Sequence, residues 1–325
     1  MKGKWIQTAA LATAMIVAMA VPVMAFEPGK VTCIAPANPG GGWDFTCRAG
    51  GQLLNGLGLV SKPVQTINMP GGGGGVAYAH VVNERKGEDN VLVAASRSTT
   101  TRLAQNQYGN FTAKDVRWIG AIGADYGVIA VNADSPFKTL KDLIESWKKN
   151  PKIAATGGGS AVGGQDHMKI LILAKAAGID PMSVKYVPFD GGGEAMTSLL
   201  GGFIQVFPGD ISEVKPQLEA GKVRVLAVLG DERLPDDLSS IPTAKEEGFD
   251  AKWVVWRGFY MPSGTSDDAY NYWLKALEKM EKSKEWAEKR KQNGVAPFWS
   301  GGKDFEAFVN AQVEEIKALT KMVTK

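Results

Sequence analysis

Along the chain, short apolar runs alternate with stretches of helical spacing. "KVTCIA" (30–35) predicts a strand and 45–57 a helix. "VQTIN" (64–68), "NVLVAA" (90–95), "YGVIAV" (126–131), "KIAAT" (152–156), "SVKYV" (183–187), "IQVFP" (204–208) and "KVRVLAVL" (222–229) predict further strands. Helical patterns follow at 76–82, 100–107, 139–149, 164–177, 194–200 and 211–220. This strand–helix rhythm predicts an α/β protein whose mostly parallel sheets are covered by helices on both faces. The last hundred residues change character. "WVVWRGFYMP" (253–262) reads as a strand, and charged helices follow over 266–282 and 286–292. In a terminal helix Phe305, Phe308, Val309, Ile316 and Leu319 recur at core-facing spacing.

The first 25 residues stand outside this pattern. A basic start (Lys2, Lys4), the apolar run "AALATAMIVAMAVPV" and the small-residue pattern Val23-Met24-Ala25 predict a secretory signal peptide cut after Ala25. No later run approaches the ~18 continuous apolar residues of a membrane span, so the mature chain is expected to be soluble and periplasmic. Loss of Lys2 and Lys4 takes the formal charge from +3 to +1. That balance argues against nucleic acid as a partner, and against membrane binding by bulk charge.

Cys33 and Cys47 are the two cysteines of the chain. They are either a disulfide or two small buried thiols, and export to an oxidising compartment favours the disulfide. A bridge closing a loop of about 15 residues would contribute roughly 3 kcal/mol. His80 and His167 form no ligand-like cluster with the cysteines, so no metal site is expected.

Four glycine clusters each follow a strand and open a helix: "PGGGWD" (39–44), "PGGGGG" (70–75), "GGGSAVGG" (157–164) and "DGGG" (190–193). A helix start leaves backbone N–H groups unpaired and partly positive, and glycine lets an anion come close to them. In open α/β sheets such loops gather at the carboxyl ends of strands, where ligands bind. None reads G-x-x-x-x-G-K-[ST], and the glycines of 157–164 do not fit G-x-G-x-x-G, so no nucleotide cofactor is expected. Asp44 is either a cap of the first helix or a ligand contact, and Trp43 is placed to wall the cleft. Ser160 is either a cap or a donor to a carboxylate. In "SRSTT" (96–100), Ser96 and Ser98 offer hydroxyls, as a cap or to a ligand. Asp210 caps the helix that begins at Ile211 or works near the cleft. No G-x-S-x-G elbow occurs, and His167 shares a helix face with Ile170, Leu171 and Ala174, so an exported hydrolase is the weaker alternative and no enzyme is expected.

The stretches "CIAPANPGGGWDFTCR", "NMPGGGGGVAYAHVV", "DVRWIGAIGADYGVIAV", "VPFDGGGEAMTSLLGG", "GKVRVLAVLGDERLP" and "RGFYMPSGT" resemble, in order, the extracytoplasmic receptors of tripartite tricarboxylate transporters. These belong to the wider Bordetella-uptake-gene family of periplasmic binding proteins. The resemblance implies a two-lobed, type II-like binding-protein fold with hinged lobes, each built on a mostly parallel sheet flanked by helices. Lobe one would be 26–126 plus 231–325, and lobe two 127–230. It implies a monomeric receptor for a tricarboxylate such as citrate, with another organic acid or an amino acid as the alternative. Its partners would be the large and small integral-membrane subunits of the transporter. By the same resemblance the ligand is held by Gly40, Gly41, Gly42 and Asp44, by Ser160 with Ala161, and by Ser96, Ser98, Asp190, Gly191 and Gly192. The chain departs from the branch at Trp43, where another aromatic residue is usual, and at His167, whose position varies.

Overall fold

The computed structural model describes residues 26–323, so the expected signal peptide at 1–25 lies outside the described residues. Its first body begins with β1 (Thr32–Ala35), α1 (Gly42–Gly56), β2 (Gln65–Asn68), α2 (Gly75–Glu84), β3 (Val91–Ser96), α3 (Arg97–Ala104) and β4 (Val116–Tyr126). The chain then builds a second body from β5 (Val128–Asn132), α4 (Leu140–Lys149), β6 (Thr156–Gly158), α5 (Gln165–Ala176), β7 (Tyr186–Pro188), α6 (Gly192–Leu200), α7 (Ile211–Glu219) and β8 (Val223–Val228). It returns through β9 (Val254–Pro262), α8 (Asp267–Glu281), α9 (Lys284–Gln292), β10 (Ser300–Gly301) and α10 (Gly302–Val323). Among the described residues no helix is long and apolar enough to cross a membrane.

The first body is one six-stranded sheet in the order β10-β4-β9-β3-β1-β2. Its strands are apolar on both faces because helices cover both. Cys33, Ala35, Leu92 and Ala94 pack with Trp273 and Trp286 on one side. Ile34, Val91, Val93 and Ala95 pack with Tyr78, Trp118 and Phe305 on the other. That is the period of two expected of a strand buried on both faces. Cys33 and Cys47 form the expected disulfide, with Cα atoms 5.6 Å apart, which ties α1 to β1.

The α/β class is as expected, but the sheets are mixed rather than mostly parallel. β1 pairs parallel with β2 and β3, whereas β3–β9, β4–β9 and β10–β4 are antiparallel. In the second body β6–β7 is parallel and β5–β8 antiparallel. The reason is topological. β4 carries the chain out to the second body and β9 brings it back, so these neighbours must run in opposite directions. The apolar-run reading placed no strand at 116–126, where Gly120 and Gly123 interrupt the pattern. Those glycines admit close neighbours: a Cβ at Gly120 would lie 3.0 Å from the Ser300 carbonyl oxygen. "IQVFP", expected as a strand, makes only isolated bridges, from Val206 to Thr156 and from Phe207 to Ala130.

In the second body Ile129 and Val131 face a cluster with Leu143, Trp147 and Leu171, while Val128 and Ala130 face another with Leu199 and Phe207. Ala244, Ala251 and Trp253 pack into the first of these, and Leu234, Leu238 and Ile241 into the second. The two bodies meet at a knot of backbone bonds: Gly127 N–H to Trp253 O, Leu229 N–H to Gly127 O, and Trp253 N–H to Leu229 O, at 2.9, 2.7 and 2.9 Å.

Candidate functional site

Five helix starts converge between the bodies. The first turns of α1 (Gly41, Gly42, Trp43), α3 (Ser96, Ser98), α5 (Gln165, Asp166), α6 (Gly191, Gly192) and α7 (Glu213) line one polar cavity together with Ala37, Gly159 and Arg257. Its volume is about 20 Å³, room for roughly one water. A hollow of about 300 Å³ between Leu234–Leu238 and Ala287–Pro297 is larger, but it is chiefly apolar and no set of helix starts meets there.

The walls are close because glycines build them. A Cβ on Gly159 would lie 2.1 Å from the Gly192 nitrogen, and one on Gly42 would lie 1.9 Å from Arg257 Nη1. The bodies touch across the cleft through Asn38 N–H to Asp190 O (3.0 Å) and Gly42 N–H to Glu213 Oε1 (2.9 Å). Arg102 Nη1 donates to Val162 O at 3.0 Å, and Gln105 Nε2 to Gly163 O at 2.7 Å.

Beneath the cavity lies a buried charge network. Arg257 donates to Asp125 Oδ2 (Nη2, 2.6 Å) and to Asp210 Oδ2 (2.7 Å). Lys169 Nζ donates to Asp166 Oδ1 (2.8 Å), Asp210 Oδ1 (2.6 Å) and the carbonyls of Pro208 and Gly209. Ser212 Oγ donates to Asp125 Oδ2 at 2.5 Å. Each cation is thus surrounded by acceptors, which offsets the desolvation that burial imposes. Burial pushes the carboxyls of Asp125 and Asp166 up. Burial acts on Asp210 too, but Lys169 and Arg257 together outweigh it and hold this carboxyl below its usual range. Glu213 is pushed up to about 8, first by burial and then by the charges of Asp210 and Asp166. It is therefore mostly protonated at neutral pH.

Of the residues singled out from the sequence, Gly41, Gly42, Trp43, Ser96, Ser98, Gly191 and Gly192 stand in the cavity wall. The others surround it. Gly40 donates its N–H to Asp44 Oδ2 at 3.0 Å. Asp44 does not cap α1 forward. The helix begins earlier than the pattern predicts, at Gly42, so Asp44 falls in its first turn and reaches back to Gly40, with Arg48 and Asn68 as further partners. Burial opposes this carboxylate's charge, but those hydrogen bonds lower its pKa overall. Ser96 is the cap of α3, accepting the Ser98 N–H at 3.1 Å. Ser160 Oγ accepts the Asp166 N–H of the first turn of α5 at 3.0 Å and lies 3.3 Å from the Tyr186 hydroxyl, and Ala161 follows it outside the wall. Asp190 is exposed at the rim. Asp210 lies in the network and pairs with Glu213 at the start of α7, its N–H donating to Glu213 Oε2 at 3.1 Å. His167 is a packed histidine: Nδ1 accepts the Gly163 N–H at 3.0 Å, Tyr186 lies 4.5 Å from its ring, and burial lowers its pKa to about 4.

Gln165, Asp166, Glu213 and Arg257 belong to the wall and were not singled out from the sequence, nor were Asp125 and Lys169 behind it. Arg257 in "WRGF" and Lys169 in "HMKILIL" are charges set in apolar runs, whereas Gln165, Asp166 and Glu213 stand in polar stretches at helix starts. For Arg257 and Lys169 an isolated charge within a buried run was the available signal, because such a charge needs a partner.

A sequence model described as the tripartite tricarboxylate transporter family receptor matches residues 54–324. A relative from Cupriavidus necator, a UPF0065 protein in the gbd 5′ region, is 27% identical over 317 residues, covering 95% of this chain and 93% of that one. Among solved structures, the periplasmic binding protein BugD superposes with a TM-score of 0.81 at 23% identity, covering 91% of this chain and 97% of that one. MatC from Rhodopseudomonas palustris, solved with bound malate, superposes with a TM-score of 0.78 at 20% identity, covering 90% and 98%. These likenesses show the periplasmic-binding-protein fold.

Proposed function

The chain belongs to the tripartite tricarboxylate transporter receptor family, and from that premise we propose that it captures a tricarboxylate such as citrate between its two bodies. It then delivers this cargo to the large and small membrane subunits of the transporter. The family's members are solute-binding receptors, so binding rather than turnover is the expected activity. One observation carries the reading: five helix starts face a single polar cavity. Backbone N–H groups at helix starts hold carboxylates without adding a side chain. Replacing the hydration of a polyanion demands many such donors at once.

The proposed lobes are 26–126 with 231–325, and 127–230. The segment 231–253 belongs to lobe one in this division while its side chains pack on lobe two. The hinge is the bonded knot of Gly127, Leu229 and Trp253. A cavity of about 20 Å³ admits a carboxylate only when the lobes part, so binding couples to opening and closure. Export to the periplasm after cleavage at Ala25 completes the reading. MatC's malate supports a carboxylate as the ligand class. Calorimetric titration of the purified mature chain with citrate, isocitrate, malate and aspartate tests it. Saturable binding of at least one acid is expected, and no heat or thermal stabilisation with any of them would refute it.

A further inference from the structure

Two polar groups in the cavity wall are buried without partners. Trp43 and Gln165 are each 8% exposed. The Trp43 Nε1–H, a donor, and Gln165 Oε1, an acceptor, have no hydrogen-bond partner among the described residues. The amide of Gln165 is not free to turn over. Its Nε2 donates to Asp210 Oδ2 at 3.3 Å, and a flip would set its oxygen against that carboxylate. So Gln165 presents an acceptor, and only a donor satisfies it. Among the neighbouring groups, both oxygens of Glu213 accept backbone N–H groups, from Gly42 and Asp210. Ser96 Oγ accepts the Ser98 N–H.

Resting on the receptor reading, we infer that this cleft selects carboxylates that carry a hydrogen-bond donor, a hydroxyl or an ammonium, beside the carboxylate group, and that Gln165 is the residue that reads that donor. Trp43 and Gln165 line the same cavity, so the two unpartnered groups address one ligand. Trp43 supplies the complementary N–H for a carboxylate oxygen. A site built to hydrogen-bond such a group rejects the analogue lacking it, because its own polar atom is then left unpaired.

Matched pairs test this. Malate and succinate differ by one hydroxyl, as do citrate and tricarballylate, and aspartate replaces that hydroxyl with an ammonium. In calorimetric titrations the better-bound donor-bearing acid is expected to bind at least about tenfold tighter than its donor-free partner. Comparison of malate with aspartate tells hydroxyl from ammonium. Gln165→Met, with Gln165→Leu as a second variant should the first fail to fold, is expected to bring the pair within about twofold of each other. Equal affinity within each pair for the wild-type chain overturns the inference while leaving the receptor reading intact. An unchanged ratio in a folded Gln165 variant removes Gln165 from the role. Binding of no acid at all overturns both.

Discussion

Glu213 of α7 reaches across the cleft, and its Oε1 accepts the N–H of Gly42, the first residue of α1, at 2.9 Å. A side-chain carboxyl from one body thus occupies an amide at the helix start of the other. The same carboxyl is held protonated up to about pH 8 by burial and by the charges of Asp210 and Asp166.

That shift has a signed consequence. The folded chain keeps a proton on Glu213 between its ordinary value near 4.5 and about 8, whereas the unfolded chain releases it. The corresponding stability is complete below pH 4.5 and is lost as pH rises towards 8. Glu213→Gln is expected to remove this part of the slope, an effect on the order of 1 kcal/mol or more. Urea denaturation of both chains over that pH range measures it, and parallel profiles would refute it.

Gly42 leaves no room for a side chain, since Arg257 is pinned by Asp125 and Asp210 and cannot swing away. Gly42→Ala is expected to cost about 1–3 kcal/mol of stability and to weaken acid binding by shifting the guanidinium. Thermal melting and calorimetry together check both effects.

Ser160 serves its own body. Its hydroxyl accepts the Asp166 N–H at the start of α5 and lies outside the cavity wall. Ser160→Ala is therefore expected to lower stability by about 1 kcal/mol with little direct effect on ligand affinity. A large loss of affinity at unchanged stability would return Ser160 to the site.

The Cys33–Cys47 bridge spans a separation of 14 residues. Replacing both with serine is expected to cost roughly 3 kcal/mol, read as a lower urea midpoint. The variant's midpoint should then be insensitive to reductant, unlike that of the parent chain.

Strands β1, β3 and β8, the helices α1 and α3, the disulfide and the glycine-rich helix starts were legible in the sequence. Each depends on residues close together in the chain: alternation within a strand, periodicity within a helix, glycines beside a first turn. So Gly41, Gly42, Trp43, Ser96 and Gly192, which line the cavity, were singled out from the sequence. Tertiary structure alone decided the direction of β9 beside β4 and the ions behind the cavity. Arg257 meets Asp125 across 132 positions and Asp210 across 47, and Lys169 meets Asp210 across 41. Local spacing carries no record of such pairs. A buried charge is tolerable only beside its counter-charge, and that neighbour exists only once the chain has folded, within one body for Arg257 with Asp125 and Lys169 with Asp210, and across both for Arg257 with Asp210.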